Sequence, residues 1–428
     1  MYFSKQDIDN RRARLAPKWN EVLTKGEAVL VYAGAPIQKP GGLDNTYTYL
    51  PHPSYYWLTG RRREEEVILY SVDTGWIEFQ KVLGKETAFW EGEKQDVLVD
   101  TPGKSLVDLD AFLKQFTTVY KLGQTSDYKK EGKAFTLNTL LDQTRRVKDD
   151  AEIKLIRHIA DIAVHGYKKI AEVLRPGITE RDIQIAYEAE IFRNGAHTTP
   201  YDSIVGSGPN AAILHFAPSQ RVVGEQELVL VDAGADIYDY CVDITRTFIS
   251  SGEMESRQKA LYQLVKLVQD SCTKMTKPGV YWRDVHNKAA ALFTEGLLHL
   301  GILKGNLSDL IAQEVVYMFF PHGLGHLVGL RVRDTGQEEN LHPKTYFGAR
   351  LRVDIQLEPG HLITMEPGMY FIKPLLEDED NKKKFKECIN WEELNHWMNI
   401  GGVRIEDNLL LTDSGNDNLT AAIPKISI

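Results

Sequence analysis

Cysteine is scarce in this chain. The three present, Cys241, Cys272 and Cys388, are odd in number, far apart and without CxxC spacing. That excludes a disulfide framework and a thiolate zinc site and points to buried free thiols. Long hydrophobic runs are also missing. No apolar stretch approaches membrane-spanning length, and the opening "MYFSKQDIDNRRARLAPKW" carries charges where a secretory leader needs an apolar centre. The expected compartment is the cytoplasm. Nor is there an excess of positive charge: Lys and Arg number 51 against 60 Asp and Glu, a formal net charge of -9. That balance offers no footprint to nucleic acid or to an anionic membrane, so the expected partner is a peptide or a small molecule. Repeats and low-complexity tracts are lacking too, and "EDEDNKKKFKE" reads as a solvated loop or helix face.

With 428 residues the chain is long enough for two domains, each with its own core. The first part has an α/β texture: Ser4 to Asp7 resembles a capping box, "EAVLVYAG" reads as a strand and "DLDAFLKQF" as an amphipathic helix. From Val147 a helical period takes over, with Ile153, Ile156, Ala160, Ala163, Tyr167, Ile170 and Leu174 three or four apart until Pro176-Gly177 stops it. The spacing therefore predicts a boundary between residues 1–146 and 147–428. A second helix, capped by Thr179 and Asp182, is expected to end near Gly195, followed by short strands and Gly-rich turns such as "IVGSGPNAAILHF".

The strand-rich part holds carboxylates in unusual places. In "VDAGADIYDYCVDITRTF", Asp236 and Asp239 read as a solvated turn, but Asp232 and Asp243 each follow an apolar run where an unpaired carboxylate is costly. If the segment is a hairpin, the two can face each other across strands at roughly 4.5–5.5 Å between Cβ atoms. A pair of turn-capping aspartates explains them equally well on these residues alone. Three later segments shift the balance: "FFPHGLGHLVGL" carries His322 and His326, "LITMEPGMYF" carries Glu366 and "GGVRIEDNLLL" carries Glu406. A Glu inside a half-buried strand is rarely left unpaired. Four carboxylates carry a charge of -4 and two divalent cations +4, and such a pair, roughly 3.5–4 Å apart, can hold a shared hydroxide as nucleophile. Oxygen-rich ligation with one imidazole suits Mn²⁺ or Co²⁺ better than a thiolate zinc site, with Zn²⁺ and Fe²⁺ also admissible.

The order Asp, Asp, "HGLGH", "EPG", "RIED" over about residues 145 to 428 resembles the pita-bread metallopeptidases, which include methionine aminopeptidase, aminopeptidase P, prolidase and creatinase. The resemblance implies an α/β two-domain chain: a smaller mixed α/β amino-terminal domain serving oligomerisation and pocket closure, and a catalytic α+β domain. It also implies a dinuclear site with Asp232, Asp243, His326, Glu366 and Glu406 as ligands, Asp243 and Glu406 bridging. Segments such as "YDSIVGSGPNAAILHF", "KPGVYWRDVH" and "LEPGHLITMEPGMYFI" are most similar to prolidase, the Xaa-Pro dipeptidase. That branch implies two divalent ions per chain, manganese foremost, a homodimer, and hydrolysis of Xaa-Pro dipeptides.

In the same resemblance Glu366 relays a proton, and His215 and His322 contact substrate or stabilise the tetrahedral intermediate. Arg352 matches the arginine that binds the product proline's carboxylate, Arg404 and Tyr201 face the substrate pocket, and Trp90 reaches a neighbouring subunit's pocket. One position departs: after "HGLGHLVGL" the family usually has a histidine where this chain has Arg333, which cannot act as a neutral imidazole and adds a fixed charge. The alternatives are aminopeptidase P, acting on longer Xaa-Pro peptides, and a non-catalytic binding protein on the same fold.

Overall fold

A computed structural model of the chain describes residues 2–42, 45–82, 84–85, 89–90, 99, 101–123, 131–336 and 345–426. It divides into two compact units, Met1–Arg146 and Val147–Ile428.

In the first unit the Ser4 hydroxyl and the Asp7 carboxylate form the expected capping box and start the helix Lys5–Asn20. Five strands, β1 (Glu27–Tyr32), β2 (Val67–Ser71), β3 (Gly75–Gln80), β4 (Lys104–Ser105) and β5 (Thr118–Leu122), form one mixed sheet in the order β4-β3-β2-β1-β5. β1 and β2 are apolar and buried at most positions, as central strands must be, and the edge strands β4 and β5 are more exposed.

In the second unit Asp149 and Glu152 cap the helix Asp150–Val173, and Thr179 with Asp182 caps the helix Glu180–Arg193. The apolar stripe of the first helix is buried, and its Tyr167 hydroxyl donates to the Ile244 carbonyl at 2.6 Å. Tyr187 of the second helix donates to the Ala233 carbonyl at 3.2 Å. The helix pair thus braces the chain beside Asp232 and Asp243 from behind.

Among the described residues, twelve short strands of this unit build small antiparallel sheets. β6 (Ile204–Ser207), β7 (Leu228–Asp232) and β10 (Thr245–Ile249) form one, in the order β10-β7-β6, and β8 (Ala235–Ile237) and β9 (Tyr240–Val242) form a hairpin between its strands. β11 (Thr345–Tyr346) and β12 (Ala349–Arg350) pair, as do β14 (Gly368–Tyr370) and β15 (Gly402–Arg404). β13 (Leu362–Met365), β16 (Asp407–Leu411) and β17 (Asn416–Asn418) make a third sheet, and the Thr245–Glu406 bridge links it to the first. The helices Ser256–Met275 and Trp282–His299 pack their apolar faces into the shared core.

One local expectation changes. Asp236 and Asp239 are buried, not solvated: Asp239 lies 3.5 Å from Arg331, and its amide donates to the Asp236 carboxylate. Tyr238 and Asp239 both take positive φ, so the chain reverses tightly enough to tuck the turn under its neighbours. All three cysteines are free and buried, as expected. Among the described residues no helix is long and apolar enough to cross a membrane.

Candidate metal centre

The two aspartates do not face each other across one hairpin. Asp232 ends β7 and is paired in register with Thr245 on β10, while Asp243 falls in the connection between β9 and β10 because the β8–β9 hairpin is inserted there. Their side chains meet all the same. The Tyr201 hydroxyl stands 2.8 Å from the Asp232 carboxylate and 2.6 Å from that of Asp243, with one proton to share between them.

His326 is delivered from the facing side. Its amide donates to the Thr364 hydroxyl at 3.0 Å and its carbonyl accepts from the Thr364 amide at 2.8 Å, tying the loop to β13. Gly325 makes this approach possible, since a Cβ there would run into the Thr364 carbonyl. The ring Nδ1 donates to the Leu327 carbonyl at 3.1 Å. Nε2 faces the pocket, 3.3 Å from Asp243 and 3.8 Å from Glu366, which together favour its protonated form against burial, and on losing that proton it can ligate a cation. Glu366 lies just past the end of β13, where its carboxylate is 18% exposed, so it is half-buried and not inside a strand. Glu406 lies between β15 and β16 and accepts from the Thr245 hydroxyl at 2.7 Å.

This donor set fits divalent cations. Asp243, His326 and Glu406 each offer a ligand atom, all within 4.8 Å of one another, and all three residues are buried. Without a cation the arrangement is electrostatically frustrated. Burial and then the Asp243 charge push Glu366 up to about 6, and the same two causes hold Glu406 well above the ordinary carboxylate range. Asp232 is also raised, by burial and by Asp243, against the pull of Arg404. Burial works the same way on Asp243, but the hydrogen bond and charge of His326 outweigh it and bring that group below its usual value.

A cavity of about 780 Å³ opens over these groups. Tyr201, His215, His322, Arg333, Arg352 and Arg404 line it together with the acidic cluster. Burial and then the positive charges of Arg333, Arg404 and Arg352 lower His215, so its imidazole is neutral near pH 7. Trp90 belongs to the first unit, where it is 75% exposed and meets Phe89 edge-on.

Several contributors were not legible as site residues. Tyr370 joins two of them: its oxygen accepts from Arg404 at 2.9 Å and its hydroxyl donates to His322 Nε2 at 2.9 Å. Thr245 accepts from Arg404 Nε at 3.0 Å while donating to Glu406. Behind them Arg246, fully buried, donates to the carbonyl of Glu406 and to the carboxylate of Asp407 at 2.7 Å each. Asp407, adjacent to a ligand in "RIED", carried a signal: a second carboxylate in an apolar strand needs a cation, here the buried Arg246 and the half-buried Lys425.

A carboxylate-and-imidazole cluster at the floor of a polar cavity defines a metal-dependent hydrolase site. The chain belongs to metallopeptidase family M24, whose model matches residues 154–413. It is 32% identical over 394 residues to a probable Xaa-Pro aminopeptidase of Emericella nidulans, covering 86% of this chain and 85% of that protein. A probable Xaa-Pro aminopeptidase of Fusarium vanettenii is 33% identical over 398 residues, covering 86% and 83%. Among solved structures, aminopeptidase P from E. coli with the inhibitor Pro-Leu superposes with a TM-score of 0.79 at 26% identity over 99% of this chain and 96% of that one. Proline aminopeptidase P II from Yersinia pestis gives 0.80 at 26% identity over 99% and 98%. The second unit thus carries the pita-bread fold of these aminopeptidases. These two relatives are named probable Xaa-Pro aminopeptidases, which supports the reading that the sequence ranked second over the dipeptidase it ranked first.

Proposed function

We propose that this chain removes the amino-terminal residue from peptides whose second residue is proline, an aminopeptidase P type of reaction. The observation that carries the reading is the convergence of Asp232, Asp243, His326, Glu366 and Glu406 in one cavity of a chain whose curated relatives bear that activity in their names. Asp232, Asp243, His326, Glu366 and Glu406 would hold two divalent cations, with manganese or cobalt best suited to the donor set, supplying Lewis acidity toward the scissile carbonyl and a more acidic water.

The remaining residues have separable tasks. The leaving nitrogen must gain a proton on cleavage, as any amide nitrogen does, and because an Xaa-Pro bond is a tertiary amide the site has no N–H there to hold. Glu366, the most exposed of the five proposed ligands' carboxylates, is placed to take a proton at its carboxylate and pass it on. His215 lines the cavity and can present its imidazole to the carbonyl side, while Tyr370 ties His322 and Arg404 together and holds both in the cavity wall. Tyr201 keeps its own proton, since burial and then the charges of Asp232 and Asp243 hold it well above its ordinary value, and orients both aspartates.

A dipeptidase reading keeps one specific support, Arg352 in the cavity wall, where a guanidinium can clamp a product carboxylate. Cleavage of Xaa-Pro dipeptides, tripeptides and longer peptides by Mn²⁺-loaded enzyme decides the matter. Comparable kcat/KM for longer peptides is expected, and turnover of dipeptides alone would restore the prolidase assignment.

The amino-terminal unit is proposed to serve assembly as a homodimer. Trp90 and Phe89, 75% and 79% exposed, form a projecting aromatic pair, which is costly in an isolated subunit. Trp90→Ala is expected to weaken the dimer in sedimentation and raise KM with metal content unchanged. A fully active monomer at assay concentration would remove this role.

A further inference from the structure

Directly after Glu406 the chain is gripped by the last described stretch of the second unit. The fully buried Asp407 carboxylate is met on one oxygen by Arg246 at 2.7 Å and the Thr420 hydroxyl at 2.9 Å, and on the other by Lys425 at 2.8 Å and the Gln269 side-chain amide. Those donors fill the acceptor capacity of a carboxylate, so Asp407 serves as an anchor and not as a ligand.

The anchor reaches the main chain of two proposed metal ligands. The guanidinium of Arg246 that holds Asp407 also donates to the Glu406 carbonyl at 2.7 Å, and it reaches the Ile423 and Thr420 carbonyls at 3.0 and 3.3 Å. Asn408, likewise fully buried, accepts from the Asp243 amide at 3.1 Å and donates to the Asp243 carbonyl, while its own amide donates to the Thr420 hydroxyl at 3.1 Å. Asp243 and Glu406 are thus tied to one short stretch, 420–425, and both belong with His326 to the set whose ligand atoms lie within 4.8 Å of one another. Lys425 closes that stretch. Its side chain is 21% exposed and also donates to Gln269 at 2.8 Å, and the next amide, that of Ile426, donates to the Tyr262 hydroxyl at 2.9 Å.

Resting on the metal-centre reading above, we propose that residues 420–425 form a strap that sets the separation of Asp243 and Glu406, with Lys425, Asp407, Arg246 and Asn408 as positioning residues for the divalent cations. Carboxylates gathered as ligands repel one another before a cation arrives, so the spacing a cation needs has to be imposed from outside the cluster. Partners that orient ligands in this way change metal affinity or activity by about 10- to 100-fold when they are replaced.

The test titrates metal-free protein with Mn²⁺ by calorimetry and with Co²⁺ by visible absorption, which follows coordination geometry. Lys425→Gln is expected to weaken cation binding by about tenfold and Asn408→Ala by up to about a hundredfold, each with an altered Co²⁺ spectrum, while Lys425→Arg keeps nearly the unmutated affinity. Lys425 is half-buried, so Lys425→Gln folds and decides the matter even where Asn408→Ala does not. Leu310→Ala, at a buried position on the helix Leu307–Ala312 outside this network, controls for stability: it should lower the thermal midpoint and leave affinity and spectrum unchanged. Unchanged affinity and spectrum in Lys425→Gln would overturn the strap, as would an equal loss in Leu310→Ala, which would tie binding to stability alone. Absence of cation binding by the unmutated protein would instead remove the metal-centre reading, and the strap with it.

Discussion

Asp243→Asn is expected to remove metal-dependent activity and metal-dependent stability together. The substitution keeps the shape, but it takes one negative charge from the centre of the cluster and places an amide where His326, Tyr201 and the nearby Glu406 meet an acceptor. Changing partners that merely orient metal ligands costs about 10- to 100-fold in affinity or activity, and a residue among the ligands should cost more. The backbone should tolerate the change, since Asp243 is held by its amide and carbonyl, both bonded to Asn408.

The stability readout carries a sign. Glu366 and Glu406 are raised in the metal-free folded protein, so the folded state binds those protons more tightly than the unfolded chain, whose glutamates titrate near 4.5. Their contribution to stability is complete below the unfolded value and is lost as pH rises through about 6 and beyond. The thermal midpoint of metal-free protein should therefore fall between about pH 5 and pH 7, and Mn²⁺ should reverse the fall. A ligand at a hundred times its Kd stabilises by about 2.7 kcal/mol. In Asp243→Asn the metal-free protein should lose less on raising the pH, because one repelling charge is gone, and the Mn²⁺-induced rise should shrink. Two tightly bound ions per chain with normal turnover in the variant would show that Asp243 is not a ligand.

Much of this centre was legible because charge in an apolar setting needs a cause. Asp232, Asp243, Glu366 and Glu406 all stood out against hydrophobic neighbours, and the structure brings all four to one cavity with His326. Their route there was not legible. The β8–β9 hairpin displaces Asp243 from the register of Asp232, and strand register depends on tertiary pairing that alternation of residue types does not encode. Tyr370 and Thr245 were missed for a related reason: each reads as an ordinary strand residue, and its role comes from a partner 34 or 159 positions away. The choice between dipeptidase and aminopeptidase rested on segment likeness around a shared metal site, and shared ligands do not discriminate substrates.

His322→Ala is expected to lower kcat by about a hundredfold with metal content unchanged, through loss of positioning and not of a proton carrier. The ring is held at both nitrogens: Nδ1 donates to the Gly323 carbonyl at 2.9 Å and Nε2 accepts from Tyr370 at 2.9 Å. Burial drives its pKa down to about 3, so it is neutral across the working range, and Tyr370, pushed up to about 12 by burial, keeps its hydroxyl proton. Removing the imidazole frees that hydroxyl to turn away from the cavity and leaves Arg404 with a mobile partner beside Asp232. Tyr370→Phe should cost a similar factor, and the double variant should lose little more than either single one, because the two side chains act as one unit. The acid limb of the kcat/KM profile should keep its midpoint in His322→Ala, since no group titrating in that range has been removed. Additive losses in the double variant, or an acid limb that vanishes with the imidazole, would make His322 an independent proton-transfer group and overturn the positioning role.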